Sequence, residues 1–114
     1  MKMRIDTRTV NGVTVLDIHG KVTIGEGSVE IRNKVRELLG EGNKNILLNL
    51  GDVSYVDSSG IGELVSSFTT VTNQGGQLKL VNLTRRLREL LAITKLLTVF
   101  DSYEDEDTAV QSFS

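Results

Sequence analysis

The segment Ile46-Leu47-Leu48-Asn49-Leu50 is a nearly continuous apolar run, bounded by residues that are typical of turns. A strand with one face in water alternates apolar and polar residues, whereas a run without alternation is typical of a strand that is covered on its faces. We therefore expect a central strand here, in the middle of a β-sheet against which helices pack.

The N-terminal segment predicts a β-hairpin. Apolar and polar residues alternate from Met3 to Thr9, a period of two that is typical of a half-buried strand. Asn11-Gly12 follows, and this dipeptide is the strongest short signal for a two-residue type I′ turn. The second arm runs from Val13 to His19 and is rich in β-branched residues.

Amphipathic patterns predict two long helices. The first follows a glycine-rich loop at Gly20–Gly27, with Ser28 as its N-cap and Gly42 among its stop signals. The second extends from Gly60 and ends at Gly75-Gly76. Their apolar residues recur at helical spacing, namely Ile31, Val35, Leu38 and Leu39 in the first and Ile61, Leu64, Val65, Phe68, Val71 and Thr72 in the second.

Shorter elements complete the expected fold. They are a strand at Leu78–Val81, a helix at Leu83–Leu91, a strand at Leu97–Phe100 and a terminal helix containing Ala109, Val110 and Phe113. The fold class is α/β (α+β), with a mixed sheet of four or five strands that opens with a hairpin and has helices packed against it. We expect one domain over residues 1–114, since that length fits a single core.

Composition excludes several classes of function. The net charge of -2 disfavours a nucleic-acid partner, because phosphate binding needs clustered Lys and Arg. The apolar runs are about five residues long, whereas a membrane span needs about 20, and the N-terminus lacks the apolar core of a secretory signal. The chain contains no cysteine, which excludes Cys-based metal sites and suits a reducing compartment. We expect no metal, no cofactor and a cytoplasmic location.

The most informative segment joins the central strand to the second helix. Residues 49–62 read Asn-Leu-Gly-Asp-Val-Ser-Tyr-Val-Asp-Ser-Ser-Gly-Ile-Gly. A helix N-terminus presents unpaired N–H groups and positive dipole charge, so a hydroxyl there can cap the helix or carry an anionic group. Gly60 and Gly62 lack Cβ atoms, which leaves the backbone open to another molecule. The residues alone allow a simple capping cluster or a docking site.

This segment resembles the signature of STAS domains of the anti-sigma-factor-antagonist type, and the similarity extends over essentially the whole chain. The resemblance implies a binding module with no catalytic residues of its own. In that family the first Ser of Asp-Ser-Ser-Gly is phosphorylated by the anti-sigma factor, acting as a serine kinase, and a serine phosphatase restores it. Ser58 is then the phosphoacceptor and Ser59 the expected helix cap. The expected partner-binding residues near it are Asp57, Ser58, Ser59, Gly60, Ile61 and Gly62.

The loop before the first helix departs from the family pattern, which has an acidic residue and a hydroxyl that contact the kinase. This chain reads Gly-Lys-Val-Thr-Ile-Gly-Glu-Gly-Ser at residues 20–28. Thr23 and Ser28 could supply the hydroxyl, or the loop could serve a different partner or only a backbone turn.

Three further questions stay open at this level. The chain could instead be a STAS scaffold in a larger phosphorylation-regulated assembly, and its oligomeric state is not predicted. A basic group precedes an acidic stretch at residues 101–107, and the two are either solvated faces of the domain or a surface for a partner. The basic residues are Arg85, Arg86, Arg88 and Lys95. An enzyme is disfavoured, because His19 is the only histidine and no G-x-S-x-G motif is present.

Overall fold

The computed structural model describes residues 3–113, and these contain a five-stranded mixed sheet with four helices. The sheet order is β1-β2-β3-β4-β5, with β1 antiparallel to β2 and the other neighbours parallel. The predicted mixed sheet is confirmed, with β3 in its middle. The strands are β1 (Arg4–Val10), β2 (Val13–Val22), β3 (Asn45–Val56), β4 (Gln77–Val81) and β5 (Ser102–Tyr103), and the helices are α1 (Glu26–Gly40), α2 (Ser58–Asn73), α3 (Arg85–Ile93) and α4 (Glu106–Gln111).

The opening hairpin is confirmed at the predicted turn. Val10 of β1 pairs with Val13 of β2, which leaves two residues to connect the strands. Asn11 and Gly12 have φ values of 49° and 80°, and a type I′ turn requires positive φ at both central positions.

The central strand is covered on both faces, as its unbroken apolar run predicts. Ile46, Leu48 and Leu50 of β3 belong to the larger core cluster, which also contains apolar residues of α1, α2 and α3. Leu47 points the other way, because successive side chains of a strand alternate. It packs in a second cluster with Ala109, Val110 and Phe113, at the C-terminal helix.

The glycine-rich segment at Gly20–Gly27 is only partly a loop, so that prediction is wrong in extent. Strand β2 continues to Val22, and α1 already begins at Glu26. Two register irregularities beside Gly20, whose φ is 100°, let β2 keep pairing with the long strand β3 as far as Val56. The connecting loop is therefore short, covering residues 23–25.

The predicted strand at Leu97–Phe100 is also wrong. These residues form turns, and Leu97 and Phe100 pack with the larger core cluster rather than with a neighbouring strand. The chain reaches the sheet edge only at Ser102–Tyr103, where the N–H of Asn82 donates to the carbonyl oxygen of Tyr103 at 3.1 Å. The terminal helix is confirmed as α4, with Phe113 just beyond its end.

The glycine stop signals of the two long helices are confirmed. Gly42 and Gly75 follow α1 and α2 with φ values of 87° and 81°, the left-handed conformation that commonly ends a helix. Among residues 3–113, none of the helices is both long enough and apolar enough to cross a membrane.

Candidate functional site

The start of α2 is capped by Asp57, not by Ser59 as the sequence analysis expected. Asp57 has an extended backbone conformation, and its Oδ1 accepts a hydrogen bond from the N–H of Gly60 at 2.9 Å. The helix therefore begins at Ser58, two residues before Gly60. An aspartate and a serine are both good caps, and the end of β3 at Val56 places the aspartate in the capping position.

Asp57 also holds the loop that precedes α1. Its Oδ2 accepts a hydrogen bond from the N–H of Ile24 at 3.0 Å, and its own N–H donates to the carbonyl oxygen of Val22 at 3.2 Å. The hydrogen bonds from the N–H groups of Gly60 and then Ile24 stabilise the carboxylate, so the pKa of Asp57 is lowered from its usual value. One side chain thus fixes the helix start and the loop together.

Ser58 is the first residue of α2, and its side chain is exposed. Its hydroxyl makes no hydrogen bond to any other residue in the described part of the chain, and the same holds for the half-buried Ser59. Asp57 supplies the helix cap, which leaves the Ser58 hydroxyl without a structural task. The hydroxyl predicted as the phosphoacceptor is therefore accessible and chemically uncommitted.

Gly60 and Ile61 lie inside the protein, which corrects the expectation of an open surface at both positions. Ile61 is 7% exposed and packs in the larger core cluster. A Cβ atom at Gly60 would collide with the carbonyl oxygen of Val22 and would lie 2.7 Å from Cγ1 of Val56. Gly62 is different, since a Cβ there would have no neighbour within 4 Å in the described part of the chain.

The loop before α1 presents an apolar side chain that the sequence analysis missed. Ile24 is 76% exposed, although it lies between the two hydroxyl residues that were singled out. Thr23 is half-buried, while Ser28 is buried and its hydroxyl donates to the carbonyl oxygen of Thr23 at 3.0 Å. Ser28 is not the N-cap of α1, because Gly25 occupies that position. Ile24, Ser59 and Gly62 line one shallow depression between α1 and α2.

A groove of about 620 Å³ opens on the other side of Ser58. It lies between α3 and the segment in which β3 ends and α2 begins, and both Asp57 and Ser58 line it. Tyr55 and Ile93 contribute exposed apolar surface, with 44% and 78% of each residue accessible. The basic residues of α3 are the sign of this groove in the sequence, and no sequence pattern places α3 next to Ser58.

The STAS domain family model matches residues 4–109 of this chain. The anti-sigma-B factor antagonist of Bacillus subtilis is 34% identical over 111 residues, which cover 97% of this chain and 100% of the relative.

Solved structures show the same fold. A crystal structure of a candidate anti-sigma factor antagonist from Thermotoga maritima superimposes with a TM-score of 0.88 at 24% identity, covering 96% of this chain and 93% of the other. The Bacillus protein SpoIIAA, an anti-sigma factor antagonist, matches in its unphosphorylated form with a TM-score of 0.73 at 17% identity, over 96% of each chain. Its phosphorylated form matches with a TM-score of 0.73 at 19% identity, over 96% of this chain and 99% of the other. The chain therefore belongs to the STAS domain family, among the anti-sigma factor antagonists.

Proposed function

We propose that this chain is a phosphorylation-controlled antagonist of an anti-sigma factor and acts in the cytoplasm as a binding module, not as an enzyme. In its unphosphorylated form it binds the anti-sigma factor, which releases the bound sigma factor. Phosphorylation of Ser58 by the same anti-sigma factor, acting as a serine kinase, prevents binding, and a serine phosphatase restores it. The observation that carries this proposal is the exposed and uncommitted hydroxyl of Ser58 at the start of α2.

The fold tolerates a phosphate at this position. A phosphoserine adds about -1.5 to -2 charges at neutral pH, and the N-terminus of a helix favours negative charge. No hydrogen bond of the Ser58 hydroxyl is lost within the described residues, because Asp57 supplies the cap. Modification therefore changes the charge of the surface and leaves the structure beneath it intact.

Binding is sensitive to the same charge. Surface on both sides of Ser58 is open, with Ile24 and Gly62 on one side and the groove beside Tyr55 on the other. A partner that covers this surface would bury the phosphate and leave it without a counter-charge, which is costly at a protein interface. The resemblance to a family with phosphorylated and unphosphorylated structures supports this mechanism.

The test is a kinase reaction with the anti-sigma factor of the same organism and ATP, followed by mass spectrometry. We expect one phosphate on Ser58 in the parent chain, one on Ser58 in Ser59→Ala, and none in Ser58→Ala. Ser59→Ala is the matched control, since it removes the neighbouring hydroxyl of the same helix turn. Phosphate on Ser59 or Thr23 in place of Ser58 would refute the assignment.

A second measurement addresses the partner. The unphosphorylated chain, added to a complex of the anti-sigma factor with its sigma factor, should release free sigma factor on size-exclusion chromatography. An intact complex at saturating concentrations of the chain would contradict the antagonist function. That result would favour the scaffold role in a larger assembly.

A further inference from the structure

The groove beside Ser58 combines exposed apolar surface with an arginine that has no partner among residues 3–113. The groove is lined on one side by the end of β3 and on the other by one side of α3, including Arg86 and Ile93. The guanidinium of Arg86 forms no hydrogen bond or ion pair with any other described residue. An exposed arginine is pre-formed for bidentate binding of a carboxylate.

The acidic groups of the groove are already occupied. Glu89 accepts a hydrogen bond from Nε of Arg85 at 3.2 Å, within the same helix. The carboxylate of Asp57 accepts the N–H groups of Gly60 and Ile24. Among the charged side chains of the groove, Arg86 is therefore the one with no partner within residues 3–113, and a group that pairs with it carries negative charge.

We propose that this groove binds a segment of the anti-sigma factor that presents an apolar side chain next to a carboxylate. The apolar side chain packs against Tyr55 and Ile93, and the carboxylate pairs with Arg86. This proposal rests on the function proposed above and adds the chemistry of the partner surface. It also assigns a role to part of the basic group of α3 that the sequence left open.

The position of Ser58 in the same groove explains how one phosphate controls this contact. Ser58 and Arg86 both line the groove, so a phosphate on Ser58 places negative charge in the same groove as the expected site of the partner carboxylate. Two like charges brought together at an interface repel each other, so the partner carboxylate is disfavoured in a groove that carries the phosphate. The switch then acts by occupying the binding groove, without any change of fold.

The test is isothermal titration calorimetry of the full chain with the anti-sigma factor that phosphorylates Ser58. Arg86→Ala should weaken the affinity by about tenfold or more, because it removes a charge-assisted contact at the interface. Arg86→Lys should retain part of the affinity. Ile93→Ser should also weaken binding, and the fold should persist because Ile93 is largely exposed.

Arg88→Ala is the matched control, since it removes the same charge from the same helix. Arg88 lines a different cavity, next to Gly51 and Asn82, and we expect its variant to bind within about twofold of the parent. Equal affinities for Arg86→Ala and Arg88→Ala, or parent affinity for Ile93→Ser, would overturn the groove proposal alone. Failure of the unmodified parent chain to bind would overturn this proposal and the antagonist function together.

Discussion

The carboxylate of Asp57 and the backbone N–H of Ile24 are joined by a hydrogen bond of 3.0 Å. The other carboxylate oxygen of Asp57 accepts the N–H of Gly60 at 2.9 Å and caps α2. The loop before α1 and the helix that carries Ser58 therefore share one anchor. The exposed side chain of Ile24 is held beside Ser59 and Gly62 by this anchor.

Asp57→Asn should remove one of the two hydrogen bonds of the Asp57 carboxylate and keep the other. The amide oxygen of asparagine can still accept the N–H of Gly60, whereas its NH₂ group cannot accept the N–H of Ile24. We expect faster hydrogen exchange of the Ile24 amide in Asp57→Asn, and of both amides in Asp57→Ala, measured by NMR. Parent exchange rates at Ile24 in both variants would show that the hydrogen bond does not hold the loop.

Stability should fall in acid because carboxylates of the folded chain are stabilised in their charged form. The pKa of Asp17 is lowered, chiefly by the hydrogen bond from Arg8, and the pKa of Asp57 is lowered by backbone N–H groups. A lowered pKa contributes stability above the unfolded value of about 3.9, and that contribution is lost as the pH falls through the folded pKa.

Urea unfolding at a series of pH values measures this effect. The free energy of unfolding should decrease below about pH 4. Asp17→Asn should show a shallower decrease, since residue 17 no longer titrates. An identical acid limb in the variant would remove Asp17 from the explanation.

Two glycines of the first turns of α2 should respond to alanine in opposite directions. Gly60→Ala should destabilise the fold by about 1–3 kcal/mol, the usual cost of overpacking, because the new Cβ meets backbone at Val22. Gly62→Ala should stabilise it by about 0.5–1 kcal/mol, because the site is open and alanine is the better helix former. Urea unfolding gives both values, and equal effects of the two changes would contradict the packing described around Gly60.

The sequence predicts the parts of the fold that depend on local patterns. The Asn11-Gly12 turn and the unbroken apolar run of β3 each reflect a short-range preference, and the structure confirms both. The strand at Ser102–Tyr103 depends on long-range pairing with β4, and two residues carry no periodic signal. The strand predicted at Leu97–Phe100 was wrong because the apolar side chains of Leu97 and Phe100 pack in the core without strand pairing.

The start of α2 was predicted to within two residues, but the contacts around it were not. The motif located the start of α2, while the choice of Asp57 as the cap depends on where β3 ends and on the contact with Ile24. The burial of Ile61 was available from the sequence, since Ile61 opens the apolar stripe of α2 that faces the core. The exposure of Ile24 could not be predicted from the sequence, because a loop of three residues has no hydrophobic period.

Gly62→Arg should block partner binding without loss of the fold. The position is exposed, and a Cβ there would meet none of the described residues within 4 Å, so a long side chain projects from the helix surface beside Ile24. We expect a parent-like circular dichroism spectrum, and an affinity for the anti-sigma factor that is reduced by at least about tenfold. Gly62→Ala is its control and should bind like the parent. Unchanged affinity of Gly62→Arg would remove this side of Ser58 from the interface.

The affinity of the anti-sigma factor for the unphosphorylated and the Ser58-phosphorylated chain tests the central claim most directly. We expect the phosphorylated chain to bind at least about a hundredfold more weakly, because an unpaired buried charge costs several kcal/mol. Ser58→Ala should bind like the unmodified chain and should melt within about 3 °C of it, since the hydroxyl makes no hydrogen bond within the described residues. Equal affinities for the phosphorylated, unphosphorylated and Ser58→Ala chains would contradict a switch at Ser58.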